Sequence, residues 1–443
     1  MRLWLIARAG VSPVWQAVLG MAGMPPIADR QGDRRKMTFG GFKTSNTRQT
    51  GIAGKKPARR PHSPHYTALT LRGGRMTKVA GVAASFAPLM GQLALSVSAV
   101  AMGAALTSSG AHAGSCALIA GVYTCSGPAD PVLDVTQSFT NPTGVSVVTE
   151  PGFGIDTTGT GGSAFFLESG GGTLSFNDQN ASNIYGGTGY GIFARGYGTN
   201  NGISITSNGV IGGNLRGVRV LNEATGDTQV NLNQAYGSTV GVSIYQSSTG
   251  GAVSVSTSGV VSGLIGISVD NRGNQGVDIS TTAGVYATTG RAITVSHLNG
   301  GADTVTTRQV SSTQSDAVRV YNGISSADVT ITTNGLVTGN QEGIQVIKRG
   351  SGTATVTANE AVIGGALGID ITNEAGDIEI TAGDVTGTSS RGISTFNDTM
   401  SRYTSITSDG TVTGSTAIYA TNRGAGDIEI VITNVSLTDC AYV

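Results

Sequence analysis

The chain has 443 residues with 27 basic and 27 acidic side chains, but the neutral total hides a split. Residues 1–78 carry 15 of the Lys and Arg against only Asp29 and Asp33, whereas from Gly114 onward 12 bases face 25 acids, a formal charge of −13. The second part is an acidic protein, which argues against a nucleic-acid partner, because phosphate binding needs concentrated positive charge.

Residues 1–75 mix Arg-Lys clusters (Arg34 to Lys36, Lys55 to Arg60) with Pro and Gly and show no apolar period. They are expected to be a basic, disordered leader or a mis-assigned upstream start. Residues 79–106 then run without a charge, behind Arg72, Arg75 and Lys78 and ahead of Ala111-His112-Ala113. Small-x-small is the pattern of a signal-peptidase site, so residues 76–113 read as a signal peptide cut between Ala113 and Gly114. A membrane anchor is the competing reading, since the run is long enough to span a bilayer. Its Ala, Gly and Ser content and the cleavage pattern that follows favour the signal.

Export makes the cysteines legible. Cys116 and Cys125, in SCALIAGVYTCSG, open the mature chain and are expected to close a small disulfide loop within an N-terminal cap, residues 114–150. Chain-entropy arithmetic gives such a loop roughly 2.5 kcal/mol. Zinc would need two further ligands, and none is in sight. Cys440 is left over.

Residues 151–437 repeat. A small residue followed by Ile or Val recurs at Gly191, Gly217, Gly241, Gly266, Ala292, Ala317, Gly343, Gly368, Gly392 and Ala417, in steps of 24 to 26 residues. Each unit holds three short segments in which aliphatics alternate with Ser, Thr, Asp or Glu, the signature of strands with one buried face. Three such strands cannot bury a core alone, but stacked units can. The expected fold is all-β: a right-handed parallel β-helix of about eleven coils, with a propeller or sandwich as the weaker alternative. Residues 438–443 read as a frayed end.

Five residues past the anchor, Asn recurs at Asn222, Asn271, Asn322, Asn373, Asn397 and Asn422, with Gln246, His297 and Lys348 between. This column reads as a turn in which Asn accepts a left-handed backbone and its amide bonds the neighbouring coil. On that reading His297 is a surface substitution rather than a catalytic base. Asp227, Asp377 and Asp427 share another column and read as turn residues. Outward positions of the anchor strands, such as Arg219, Ser243, Gln345 and Tyr419, are mostly small and polar, without an aromatic hot spot.

The signal with Ala-His-Ala, the cysteine pair and the G-I-x-V / G-D-I-x-I / x-V-x-G coils together resemble the passenger domains of bacterial autotransporters, secreted by the type V pathway. The resemblance covers residues 76 to about 437. It implies a β-helix exposed on the outer surface of a Gram-negative cell, or secreted, after export by the inner-membrane machinery through the periplasm. The outer-membrane β-barrel would act in cis, although no barrel-like run of strands follows residue 437, or in trans as in two-partner secretion. The implied roles are adhesion or a structural stalk, with a host-cell, matrix or self-association ligand. No cofactor or metal is expected. A polysaccharide-degrading enzyme is the alternative, but it needs clustered carboxylates that the sequence does not single out.

Overall fold

The computed structural model describes residues 4–6, 114–433 and 440–442. The basic leader apart from residues 4–6, the signal segment and Ala113 lie outside the described residues. The fold is all-β, a right-handed parallel β-helix of about twelve turns.

Each turn contributes an anchor strand, a second strand and a short third strand, and each strand pairs in parallel with its counterpart one turn on. Leu367–Asn373, Ile378–Ala382 and Val385–Gly387 make one turn. Ile369 pairs with Ile344 on one side and Ile393 on the other. Ile380 likewise pairs with Val356 and Ile406. The period-2 alternation points every other side chain inward, so identical positions form continuous aliphatic columns. Ile369, Ile371, Ile378 and Val385 are fully buried in them. Burial of each Ile or Val contributes about 1.5–3 kcal/mol relative to exposure, and β-branched side chains suit the pleated wall.

The corners explain the glycines. After the third strand the chain turns so tightly that a Cβ on Gly387 would sit 1.8 Å from the carbonyl oxygen of Arg391. Between the anchor and second strands, Gly376 takes a φ of 105°, which a side chain would strain. Asp227 and Asp377 stand at these crossings as turn residues. Asp227 Oδ1 accepts from the Ala252 amide at 2.8 Å, and Asp377 Oδ1 accepts from the Tyr403 amide at 2.8 Å, so each carboxylate braces the following turn.

The stack begins earlier than residue 151. Gln137–Asn141 and Val145–Thr149 already pair in parallel with the long strand Phe165–Asp178. The aliphatic pattern hides this first turn, because the core here is partly aromatic: Phe139 and Phe153, and Phe165 and Phe176 of the long strand it pairs with, are buried. Ser115–Ile119 and Val122–Ser126 form an antiparallel hairpin with Cys116 directly opposite Cys125, and the two are disulfide-bonded. Tyr123 of this hairpin pairs with Val147, which joins the hairpin to the stack. At the other end, Cys440–Tyr442 adds a strand to Ile418–Ala420.

Candidate functional site

The asparagine column lies inside the β-helix, which corrects the turn-ladder expectation. Asn222, Asn271, Asn322, Asn373 and Asn397 are fully buried. None of the column's residues has a positive φ. Nor do the amides form a ladder. Asn222 Nδ2 donates to the Gly226 carbonyl at 2.7 Å, Asn271 to Gln275 at 2.7 Å, Asn373 to Asp377 at 3.0 Å and Asn422 to Gly426 at 3.1 Å. Each bond spans four residues within one turn, so each Asn closes its own crossing to the second strand. The Oδ1 atoms of Asn222, Asn271 and Asn422 accept amides two residues on and complete that crossing.

His297 stands in this column fully buried, so it is an interior residue and not a surface substitution. Its Nε2 lies 3.2 Å from the Gly273 carbonyl, which can only accept, and its Nδ1 lies 2.7 Å from Asp303 Oδ1. Asp303 occupies the first inward position of its second strand, where the neighbouring turns place Val277 and Val329. Its Oδ2 accepts from Asn322 Nδ2 at 2.7 Å and its Oδ1 from the Val277 amide at 3.1 Å. A single turn thus exchanges an Asn and Val pair for a His and Asp pair, and the carboxylate satisfies two adjacent turns.

Lys348 is also fully buried, donating to the Gly350 carbonyl at 2.6 Å. Burial pushes its ammonium down to about 8, only partly opposed by the field of Asp328. Among the described residues no carboxylate pairs with it. The column is therefore a structural spine that admits a substitute in any single turn when the substitute still reaches a loop carbonyl.

A second group lies at the start of the anchor strands. Arg291 Nε donates to Asp316 Oδ2 at 2.8 Å, and Asp316 is buried beside Glu342. Burial opposes the Asp316 charge, but hydrogen bonds from Glu342 and Arg291 outweigh it and hold the carboxyl below its usual range. Burial, then a hydrogen bond and repulsion from Asp316, push Glu342 up to about 8. The pair retains one proton and ties adjacent turns together.

This pair has a signed pH dependence. The folded chain holds the Glu342 proton above the pH at which the unfolded chain releases it, so stability falls as pH rises from about 4.5 through about 8. Discounted for partial exposure, the loss is on the order of 1 kcal/mol. Thermal unfolding at pH 5 and pH 9 should show it, and Glu342→Gln should flatten the slope.

A concave feature of the described surface lies elsewhere, on the third-strand side. A groove of about 740 Å³, open to solvent, crosses the turns from Asp156 to Thr288. Its walls come from two positions repeated turn after turn. Asp156, Tyr185, Gly212, Tyr236, Ser262 and Tyr286 are aligned by pairing along the third strands. Two residues further on, Thr158, Asn214, Ser238, Leu264 and Thr288 form the rim, and Gly186, Gly213, Gly237 and Gly263 lie between. Small corner residues keep the floor low, while every second turn raises a tyrosine from it.

The rings are placed by those glycines. A Cβ on Gly212 would sit 2.3 Å from Tyr236 Cζ, so the Tyr236 ring lies over that glycine and reaches Tyr185, with ring centroids 6.1 Å apart. Tyr286 folds over Gly284 and donates from Oη to Gln309 Oε1 at 3.1 Å. Burial, then the neighbouring Tyr185, push the Tyr236 phenol upward, so it is a protonated donor at neutral pH. The lining holds one carboxylate, Asp156, and no Lys or Arg. What it offers is aromatic faces, hydroxyls and an amide, which is binding chemistry. The sequence reading missed this surface because it followed the anchor strands and not the third strands. No family model, no curated protein and no solved structure matches the chain.

Proposed function

We propose that the chain is an exported, autotransporter-like β-helical surface protein that acts in adhesion, with the third-strand groove as its contact surface, and that it is not an enzyme. The groove is the observation that carries the reading. There tyrosine rings stand over a recessed floor, whereas anchor-strand rings such as Tyr245, Tyr321 and Tyr419 are covered by Arg272, Arg349 and Arg391, and tyrosines are favoured contact residues at protein surfaces that bind. Two further observations support export. The β-solenoid fold is common among secreted and surface proteins. The Cys116–Cys125 disulfide closes the first hairpin, and such bonds persist in oxidising compartments.

The Asp316–Glu342 pair does not shift this reading toward hydrolysis. Asp316 is buried and engaged by Arg291, and it also accepts from the Glu342 amide at 3.4 Å. Its role on this reading is to brace the turns. The partners on this reading are the inner-membrane export machinery, an outer-membrane barrel in cis or in trans, and a ligand on a cell or matrix surface.

Adhesion is tested by coating the purified, oxidised full chain on a solid surface and counting adherent host cells and bound matrix against an albumin coat. Cell or matrix retention well above albumin is the expected result. Retention equal to albumin on every surface would remove the adhesive reading and leave a stalk.

A further inference from the structure

We infer that the groove binds a neutral, linear glycan laid along the stack, with sugar rings resting on Tyr236 and Tyr286. The inference rests on the adhesive reading and names the chemistry of its ligand.

Charge narrows the ligand first. With Asp156 as the single ionic group of the lining and no cation, the groove has nothing to neutralise a polyanion, so nucleic acids and acidic polysaccharides are disfavoured. Backbone chemistry narrows it again. A peptide adding as a strand needs an open sheet edge, but the third strands from Asn183 to Ala287 already pair with the turn before and the turn after, and Gly154–Asp156 at the groove's end is paired on one side. An amphipathic helix needs a continuous apolar trough. Here the apolar surface is confined to the rings and one rim side chain, Leu264, with Ser238, Ser262, Thr158, Thr288 and Asn214 around them.

A sugar chain fits what is left. Its pyranose rings present flat C–H faces that stack on aromatic rings, and their edges carry hydroxyls that exchange hydrogen bonds with hydroxyl, amide and carboxylate groups. The backbones of Tyr236 and Tyr286 are two turns apart with Ser262 between them, ~9.6 Å at the strand spacing, so the two rings rise from the floor on either side of one intervening turn. The Tyr185–Tyr236 pair makes a wider platform at one end, and the floor at Ser262, Gly237 and Gly263 leaves room for the intervening ring. Few contacts per sugar imply weak single-site binding, strengthened where many copies face one polymer.

The test uses the oxidised full chain with cellohexaose and chitohexaose as neutral probes and oligogalacturonate as the acidic control, read by titration calorimetry and tyrosine fluorescence. The expected result is saturable binding of a neutral probe and none of oligogalacturonate. Tyr236→Ala and Tyr286→Ala should each weaken binding roughly tenfold, as expected for the loss of one ring's stacking in a desolvated contact. Tyr236→Phe, which keeps the ring, should bind nearly as wild type, and so should Tyr321→Ala on an anchor strand. Unchanged circular dichroism in the Ala variants separates lost contact from lost fold.

Two results would overturn the inference: no binding of either neutral probe, or binding that survives the double Tyr236→Ala, Tyr286→Ala change. If the coated chain still retains cells in those cases, the adhesive reading stands and the glycan inference falls. If it retains none, both fall.

Discussion

Asp303→Val should lower the stability of the oxidised chain by about 3 kcal/mol in urea unfolding, although it replaces a buried carboxylate with the residue type found at the same position in both neighbouring turns. The loss comes from the partners left behind. His297 Nδ1, Asn322 Nδ2 and the Val277 amide all direct their polar atoms at that carboxylate from fully buried positions. Removing one member of a buried pair costs far more than removing both, because the survivor's desolvation is uncompensated. The double change His297→Asn, Asp303→Val recreates the Asn and Val pair of the adjacent turns and should recover most of the loss. A double variant as unstable as the single would show that the two residues do not act as a unit.

Lys348→Gln should have the opposite sign and stabilise the chain by about 2 kcal/mol at pH 7. The wild-type ammonium is buried with one carbonyl acceptor, Gly350, and no paired carboxylate among the described residues. Gln is already accommodated in this column, where Gln246 Nε2 donates to the Gly226 carbonyl at 2.9 Å. The pH dependence identifies the cause. A lysine that titrates at 10.5 when unfolded and at about 8 when folded binds its proton more tightly in the unfolded chain. Stability therefore rises between those values, and the cost is fully present below them. Unfolding followed from pH 7 to pH 11 should show that rise in the wild type and not in Lys348→Gln. This window lies above that of Glu342, so the two contributions separate.

The fold is legible in the sequence because the repeat is written in inward positions. Ile369, Ile371 and their equivalents recur with little variation, and stacking is the only way such short units bury them. The direction of the Asn column was legible too, from parity alone. Ile369, Ile371 and Asn373 alternate with outward residues and so share one face, as do Ile293, Val295 and His297. Asparagine's preference for turns obscures that parity, since an inward polar residue at a strand end is unusual unless a loop needs it. The first turn is harder to see, because Phe139 and Phe165 stand where later turns use Ile or Val.

The groove could have been found by reading the third strands at twice the repeat. Tyr185, Tyr236 and Tyr286 recur at steps of 51 and 50 residues, two turns apart. What no single-residue pattern contains is the concavity, which arises from corner glycines and rim residues meeting across six turns. The Asp316–Glu342 proton is likewise invisible in sequence, because it depends on burial and on the approach of Arg291 from the preceding turn.

Exposure outside the cell, in an oxidising environment, is the claim on which the functional account depends. It is tested most directly by probing intact cells that make the chain with antibody raised against residues 114–433, alongside thiol alkylation of the recovered protein. The account predicts labelling without permeabilisation, with Cys116 and Cys125 resistant to alkylation until reduced. Labelling only after permeabilisation, with both cysteines freely alkylated, would contradict it.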